Sequence, residues 1–129
     1  MDRSRAFISV TETLGPIIPE SDDKPHEECG IVGAYVPGES VARTAFFGLF
    51  ALQHRGQESA GIATSQGDKI HLKAKMGLVS QVFREETLAV LPGHLGIGHT
   101  RYSTMGGSKE YNAQPLISEG QRGEIAVGH

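Results

Sequence analysis

The chain has 129 residues, 38% hydrophobic and 21% charged, with a formal net charge of -3, an ordinary make-up for a soluble globular domain, so one domain or part of one is expected. No Lys/Arg run exceeds two residues, which gives nucleic acid no basic face, and no apolar window is long enough for a secretory signal or a membrane span. One cysteine cannot staple a fold; a thiol kept reduced suits the cytosol, and a cytoplasmic location is expected.

Residues 1–28 hold Pro16, Pro19, Pro25 and the polar run Ser21-Asp22-Asp23-Lys24, with no periodicity after a short apolar patch at 7–10. That composition predicts a largely disordered leader. Residues 31–36 read as a buried strand, followed by the turn Pro37-Gly38-Glu39-Ser40 with Ser40 as a helix N-cap. Val41, Ala45, Phe46, Leu49, Phe50 and Gln53 then fall at helical spacing, with the apolar ones on one stripe and Gly56 as the stop. Residues 60–65 and 70–74 predict a hairpin around Gln66-Gly67-Asp68-Lys69. Helical propensity over 84–91 ends at Pro92-Gly93, and 95–102 reads as a strand running into a polar loop. The stretch from Gly106 to Pro115 is irregular, and a last strand begins at Glu124. A domain seldom stops at the end of an apolar strand, so a truncated chain is expected.

Three clusters carry chemistry. Cys29 sits between the acidic leader and an apolar run, Glu27-Glu28-Cys29-Gly30-Ile31-Val32-Gly33. On type alone a lone cysteine is a small buried hydrophobe. A cut after Glu28, however, would expose an α-amine of pKa about 7.7–8.0, able to take the thiol proton directly or through a water. The block from Leu52 to Gly61 reads either as a solvated helix end, with His54 and Arg55 complementing the dipole, or as a mobile loop in which Arg55 closes over a ligand. In Gly98-His99-Thr100-Arg101-Tyr102-Ser103-Thr104 the planar fork of Arg101 suits a carboxylate and Thr104 adds a hydroxyl. The alternative is a surface arginine paired with Glu110 or Glu119. His94, His99 and His129 match no metal-site spacing, and no phosphate loop or dinucleotide fingerprint is present.

The run Cys29-Gly30-Ile31-Val32-Gly33, the tract 52–61, the tract 98–104 and Asn112-Ala113-Gln114-Pro115 together resemble the class II glutamine amidotransferase domain, a branch of the N-terminal nucleophile hydrolases. The form His54-Arg55-Gly56-Gln57-Glu58 is similar to the purine-synthesis branch and unlike the Tyr-Arg-Gly-Tyr-Asp type of the hexosamine-forming relatives. This resemblance implies an α+β fold, a four-layer αββα sandwich that is incomplete here. It implies a propeptide at 1–28 and, at 29–129, the amino-terminal part of a type-2 glutamine amidotransferase domain, with the rest of that domain and a phosphoribosyltransferase domain absent. It implies that Cys29 attacks the side-chain amide of glutamine with its own α-amine as general base, that ammonia leaves, and that water frees glutamate from the thioester. Arg101, Tyr102 and Thr104 would bind glutamine, and Arg55 would belong to the loop that closes over it.

In whole members of the family the ammonia displaces pyrophosphate from phosphoribosyl pyrophosphate, a pentosyl transfer giving 5-phosphoribosylamine. The resemblance further implies no metal or cofactor in this segment, magnesium in the phosphoribosyltransferase domain, an iron–sulfur cluster in some members, and a homo-oligomer with neither nucleic acid nor membrane as partner. The family's Asn-Gly oxyanion pair follows the position of His129, and a later Asp reads the α-amino group; neither is in this sequence. Losing one oxyanion donor costs roughly 10²–10³ in rate. The chain alone is therefore expected to be inactive and to lack a stable fold, its strand at Glu124 having lost its sheet neighbours. Two other readings stand beside this one: the glutaminase half of another class II amidotransferase, and a non-catalytic regulatory module that binds an amino acid through Arg101.

Overall fold

The structure, a computed structural model, describes residues 7–11, 29–52, 57–102 and 110–129, with backbone alone at 7–11, 57, 102 and 110. In chain order the elements are β1 (Phe7–Thr11), β2 (Cys29–Tyr35), α1 (Ala42–Ala51), β3 (Gln57–Gln66), β4 (Lys69–Met76), α2 (Val79–Val82), α3 (Glu85–Ala89), β5 (Leu95–Tyr102), a 3-10 turn (Glu110–Asn112), β6 (Leu116–Gly120) and β7 (Gly123–Val127). Five strands form one antiparallel sheet in the order β1-β2-β5-β3-β4, and β6 with β7 forms a separate pair. Helices and sheets are mixed, as expected for α+β.

Alternation along the strands sends side chains to two faces. One face meets α1: Val32, Ile62 and Leu49 are fully buried, with Val79, Phe83 and Leu91 closing the same core. Each such side chain contributes about 1.5–3 kcal/mol on leaving water. The helix comes close because β5 presents glycine under it; a Cβ on Gly98 would stand 2.9 Å from Leu49 Cγ. The apolar stripe of α1 is wider than the face it buries, so Phe50 remains 53% exposed beside Phe46.

Several expectations need correction. Ser40 does not cap α1; Val41 occupies that position without a side-chain cap, and its N–H donates to the Gly93 carbonyl at 2.9 Å. The helix ends at Ala51, while Gln53 and the proposed stop Gly56 lie outside the described residues. Residues 7–11 of the stretch read as a disordered leader form an edge strand on β2, Phe7 opposite Tyr35 and Thr11 opposite Ile31. Its β-branched and aromatic content suits a strand. The segment at Glu124 does not lack a neighbour: it belongs to β7, which pairs with β6 from Leu116↔Val127 to Gly120↔Gly123. Glu124 Oε2 also accepts from the Ile70 N–H of β4 at 2.7 Å.

Candidate active site

Strand register decides which of the singled-out residues meet. Cys29 at the start of β2 lies directly opposite Arg101 near the end of β5, and Arg101 lies opposite Ser59 of β3 on its other side. Directly opposite residues share a face, with Cβ atoms about 4.5–5.5 Å apart. The row Cys29–Arg101–Ser59 therefore projects from the face turned away from α1. Cys29 is half-buried and in no disulfide. Arg101 is half-buried and has no ion pair among the described residues, so the alternative of a surface pair with Glu119 is not met. A bulge between Gln57 and Ser59 opens β3 at this row, and the Tyr102 backbone pairs with Gln57 there. The Tyr102 side chain, with Arg55, Thr104 and the Glu110 side chain, lies outside the described residues.

One row further in stands a residue that sequence reasoning set aside. His99 is 0% exposed, two positions before Arg101 on the same face of β5, between Ile31 and Gly61. Its Nε2 is 2.7 Å from the His129 carbonyl oxygen. A carbonyl only accepts, so in the neutral ring Nε2 carries the hydrogen and Nδ1 is bare. Nδ1 is buried with no partner among the described residues. Burial holds the His99 pKa below 6.5, against the raising effect of the bond to His129, and electrostatic interaction with Arg101 and the His129 side chain adds to the lowering.

That pKa has a sign in stability. Above pH 6.5 the ring is neutral folded or unfolded; below it the unfolded chain takes up a proton that the folded chain refuses. The folded state is expected to lose stability as pH falls through 6.5 toward the lower folded value, at up to about 1.4 kcal/mol per pH unit, which denaturant titrations at pH 5.5, 6.5 and 7.5 will read. A chain equally stable at all three overturns the assignment.

Burial without partners recurs at this end of the sheet. Glu58 Oε2 and Ser59 Oγ join His99 Nδ1 as buried atoms with no hydrogen bond among the described residues, as does Thr64 Oγ1 toward the other end of β3. Native interiors leave few such groups, and ligand sites are one place where they occur. A groove of about 820 Å³, lined by Ser40, Arg43, Thr44, Phe47 and His94 among others, shares no residue with the row. It opens at the opposite end of β5, away from the thiol and the guanidinium of the row. Among the described residues no three His, Cys, Asp or Glu side chains gather as a metal site, and one cysteine does not fit an iron–sulfur cluster, which takes several thiolates.

Solved proteins share this arrangement of strands and helices. Glutamine phosphoribosylpyrophosphate amidotransferase from B. subtilis, complexed with ADP and GMP, superposes with a TM-score of 0.65 at 36% identity over 74% of this chain and 20% of its own. A structure described as the allosteric regulatory enzyme of purine biosynthesis gives 0.67 at 38% identity over 74% and 21%. The described fold is thus the mixed helix-and-sheet fold found in these amidotransferases.

No protein-family model matches the chain. Curated relatives do: amidophosphoribosyltransferases from Synechococcus elongatus (57% identity over 110 residues, 85% of this chain and 22% of that protein), Mycobacterium tuberculosis (51% over 113, 86% and 21%) and Methanocaldococcus jannaschii (53% over 102, 78% and 22%). The chain belongs to the amidophosphoribosyltransferase family, and it spans about a fifth of the length of these relatives.

Proposed function

We propose that Cys29 is the nucleophile of a glutamine-hydrolysing site and that Arg101 holds the α-carboxylate of the substrate. The observation that carries this reading is the placement of the thiol and the guanidinium on neighbouring strands, opposite each other and on one face. In this reading the bond before Cys29 is cut, and the freed α-amine takes the thiol proton as sulfur attacks the side-chain amide carbon of glutamine. The same amine returns the proton to the departing ammonia, leaving a thioester that water hydrolyses to glutamate and free thiol. Tyr102 and Thr104 assist Arg101 with the carboxylate, and Arg55 closes a loop over it. Residues 29–129 are then the amino-terminal part of a glutaminase domain of four-layer αββα type, in a cytoplasmic, homo-oligomeric protein whose ammonia reacts with phosphoribosyl pyrophosphate. Magnesium would serve that second reaction. The 51–57% identities to amidophosphoribosyltransferases support this reading.

The test is an Arg101→Lys variant of the protein purified from its own host. A point-charge ammonium cannot form two parallel bonds to a carboxylate. The KM for glutamine should rise about 10- to 100-fold, with a smaller change in kcat, the loss expected for hydrogen bonds to a charged group. A glutamine-like diazo-ketone should label Cys29. Unchanged KM in the variant, or label on no cysteine, refutes the assignment.

A further inference from the structure

Residues 113–115 and 128–129 lie across the sheet on the face that carries Cys29 and Arg101. The backbone carbonyl of Gln114 fills the place where a Cβ on Gly61 would stand, and Pro115 is fully buried. At Gly128 a Cβ would come 3.7 Å from His99 Cδ2. Two side chains then grip the backbone of one residue from both sides. The Nε2–H of His99 donates to the His129 carbonyl at 2.7 Å, and Gln114 Oε1 accepts from the His129 N–H at 2.6 Å. The grip is centred on the row Ile31–His99–Gly61, and the next row toward the strand ends is Cys29–Arg101–Ser59.

We propose that His99 is a positioning residue: with Gln114 it clamps the backbone at residue 129 against β5, fixing the chain that leaves β7 beside the Cys29–Arg101 row. The role in turnover rests on the glutaminase reading above; the clamp itself rests on the two hydrogen bonds and the burial of the ring. Thiol attack tolerates little displacement of its surroundings, and a shift of about 1 Å can cost 10²-fold in rate. The titratable and charged groups that face His99 are Arg101 from its own strand and His129 from the clamped segment, while its neighbours across β2 and β3, Ile31 and Gly61, carry no charge. A proton on Nδ1 would add a buried N–H with no acceptor among the described residues.

Gln at position 99 can place an N–H near the position of His Nε2, whereas Phe cannot. Protein purified from its own host as wild type, His99→Gln and His99→Phe is compared by glutaminase kinetics, stability against pH, and nitrogen NMR of the ring. Expected are a wild-type ring protonated at Nε2, a kcat about 10- to 100-fold lower in His99→Phe with KM nearly unchanged, and recovery of most of that rate in His99→Gln. The Gln variant should also lose the stability step below pH 6.5 that belongs to the ring. A ring protonated at Nδ1, equal damage in both variants, or wild-type kcat in His99→Phe overturns the clamp while glutamine hydrolysis by the wild type leaves the site reading intact. A wild-type protein that leaves glutamine unhydrolysed overturns the site reading, and the positioning role falls with it.

Discussion

Protein in which the bond between Glu28 and Cys29 persists is expected to hydrolyse glutamine about 10²- to 10⁴-fold more slowly than protein that begins at Cys29, the range a positioned general base contributes. The reason is one nitrogen. In the uncut chain it is an amide that accepts no proton, and a free cysteine of pKa about 8.5 is only a few per cent thiolate at pH 7. Two neighbours of the thiol do not replace it: Arg101 is a permanent cation, and His99 is turned to the His129 carbonyl one row away. An uncleavable Glu28→Pro variant, checked by amino-terminal sequencing, makes the comparison. Equal rates in the cut and uncut forms would remove the amine from the mechanism.

The second large effect is structural. Gly61→Ala is expected to destabilise the fold by about 3 kcal/mol, at the upper end of overpacking costs. A Cβ there would overlap the Gln114 carbonyl and stand 2.9 Å from Ala74 Cβ, so backbone must move. The piece that moves carries Gln114, which holds the His129 N–H. The same substitution should therefore slow any reaction that depends on that segment. Gly33→Ala is the control, since nothing lies within 4 Å of a Cβ at that position. Denaturant midpoints separated by less than the equivalent of about 1 kcal/mol between the two variants would count against the close packing of residues 113–115 on the sheet.

Elements with a strong local signature were legible from the residues. The strand at 95–102 coincides with β5 at both ends, and the hairpin is β3 turning into β4 as expected, the two strands longer by four and three residues. Of the short elements, those at 84–91 and from Glu124 were legible, while two others were not. One helical turn at Val79–Val82 has too few residues to show a period, and Leu116–Gly120 turns polar after two apolar positions. The clusters around Cys29 and Arg101 stood out by residue type, but their meeting depends on the register of β2 on β5, which no spacing between positions 29 and 101 encodes. His99 was passed over because a lone histidine has no local marker; only its bond to a carbonyl thirty residues later gives it a role. Ser40 looked like a helix cap, yet the Gly93 carbonyl received the Val41 N–H instead, a tertiary contact overriding local preference.

The edge strand β1 ties proteolysis to the state of the sheet margin. While the chain is continuous, Phe7–Thr11 is tethered to β2 by residues 12–28 and meets it at high effective concentration. Were the junction before Cys29 severed, Phe7–Thr11 would lie on a separate peptide, paired to β2 by a five-residue backbone ladder and free to dilute into the surroundings. Its escape would bare the outer rim of β2, a row of unsatisfied amides and carbonyls open to any extended chain of the right register. Peptide release and the appearance of a sticky border would then be one event.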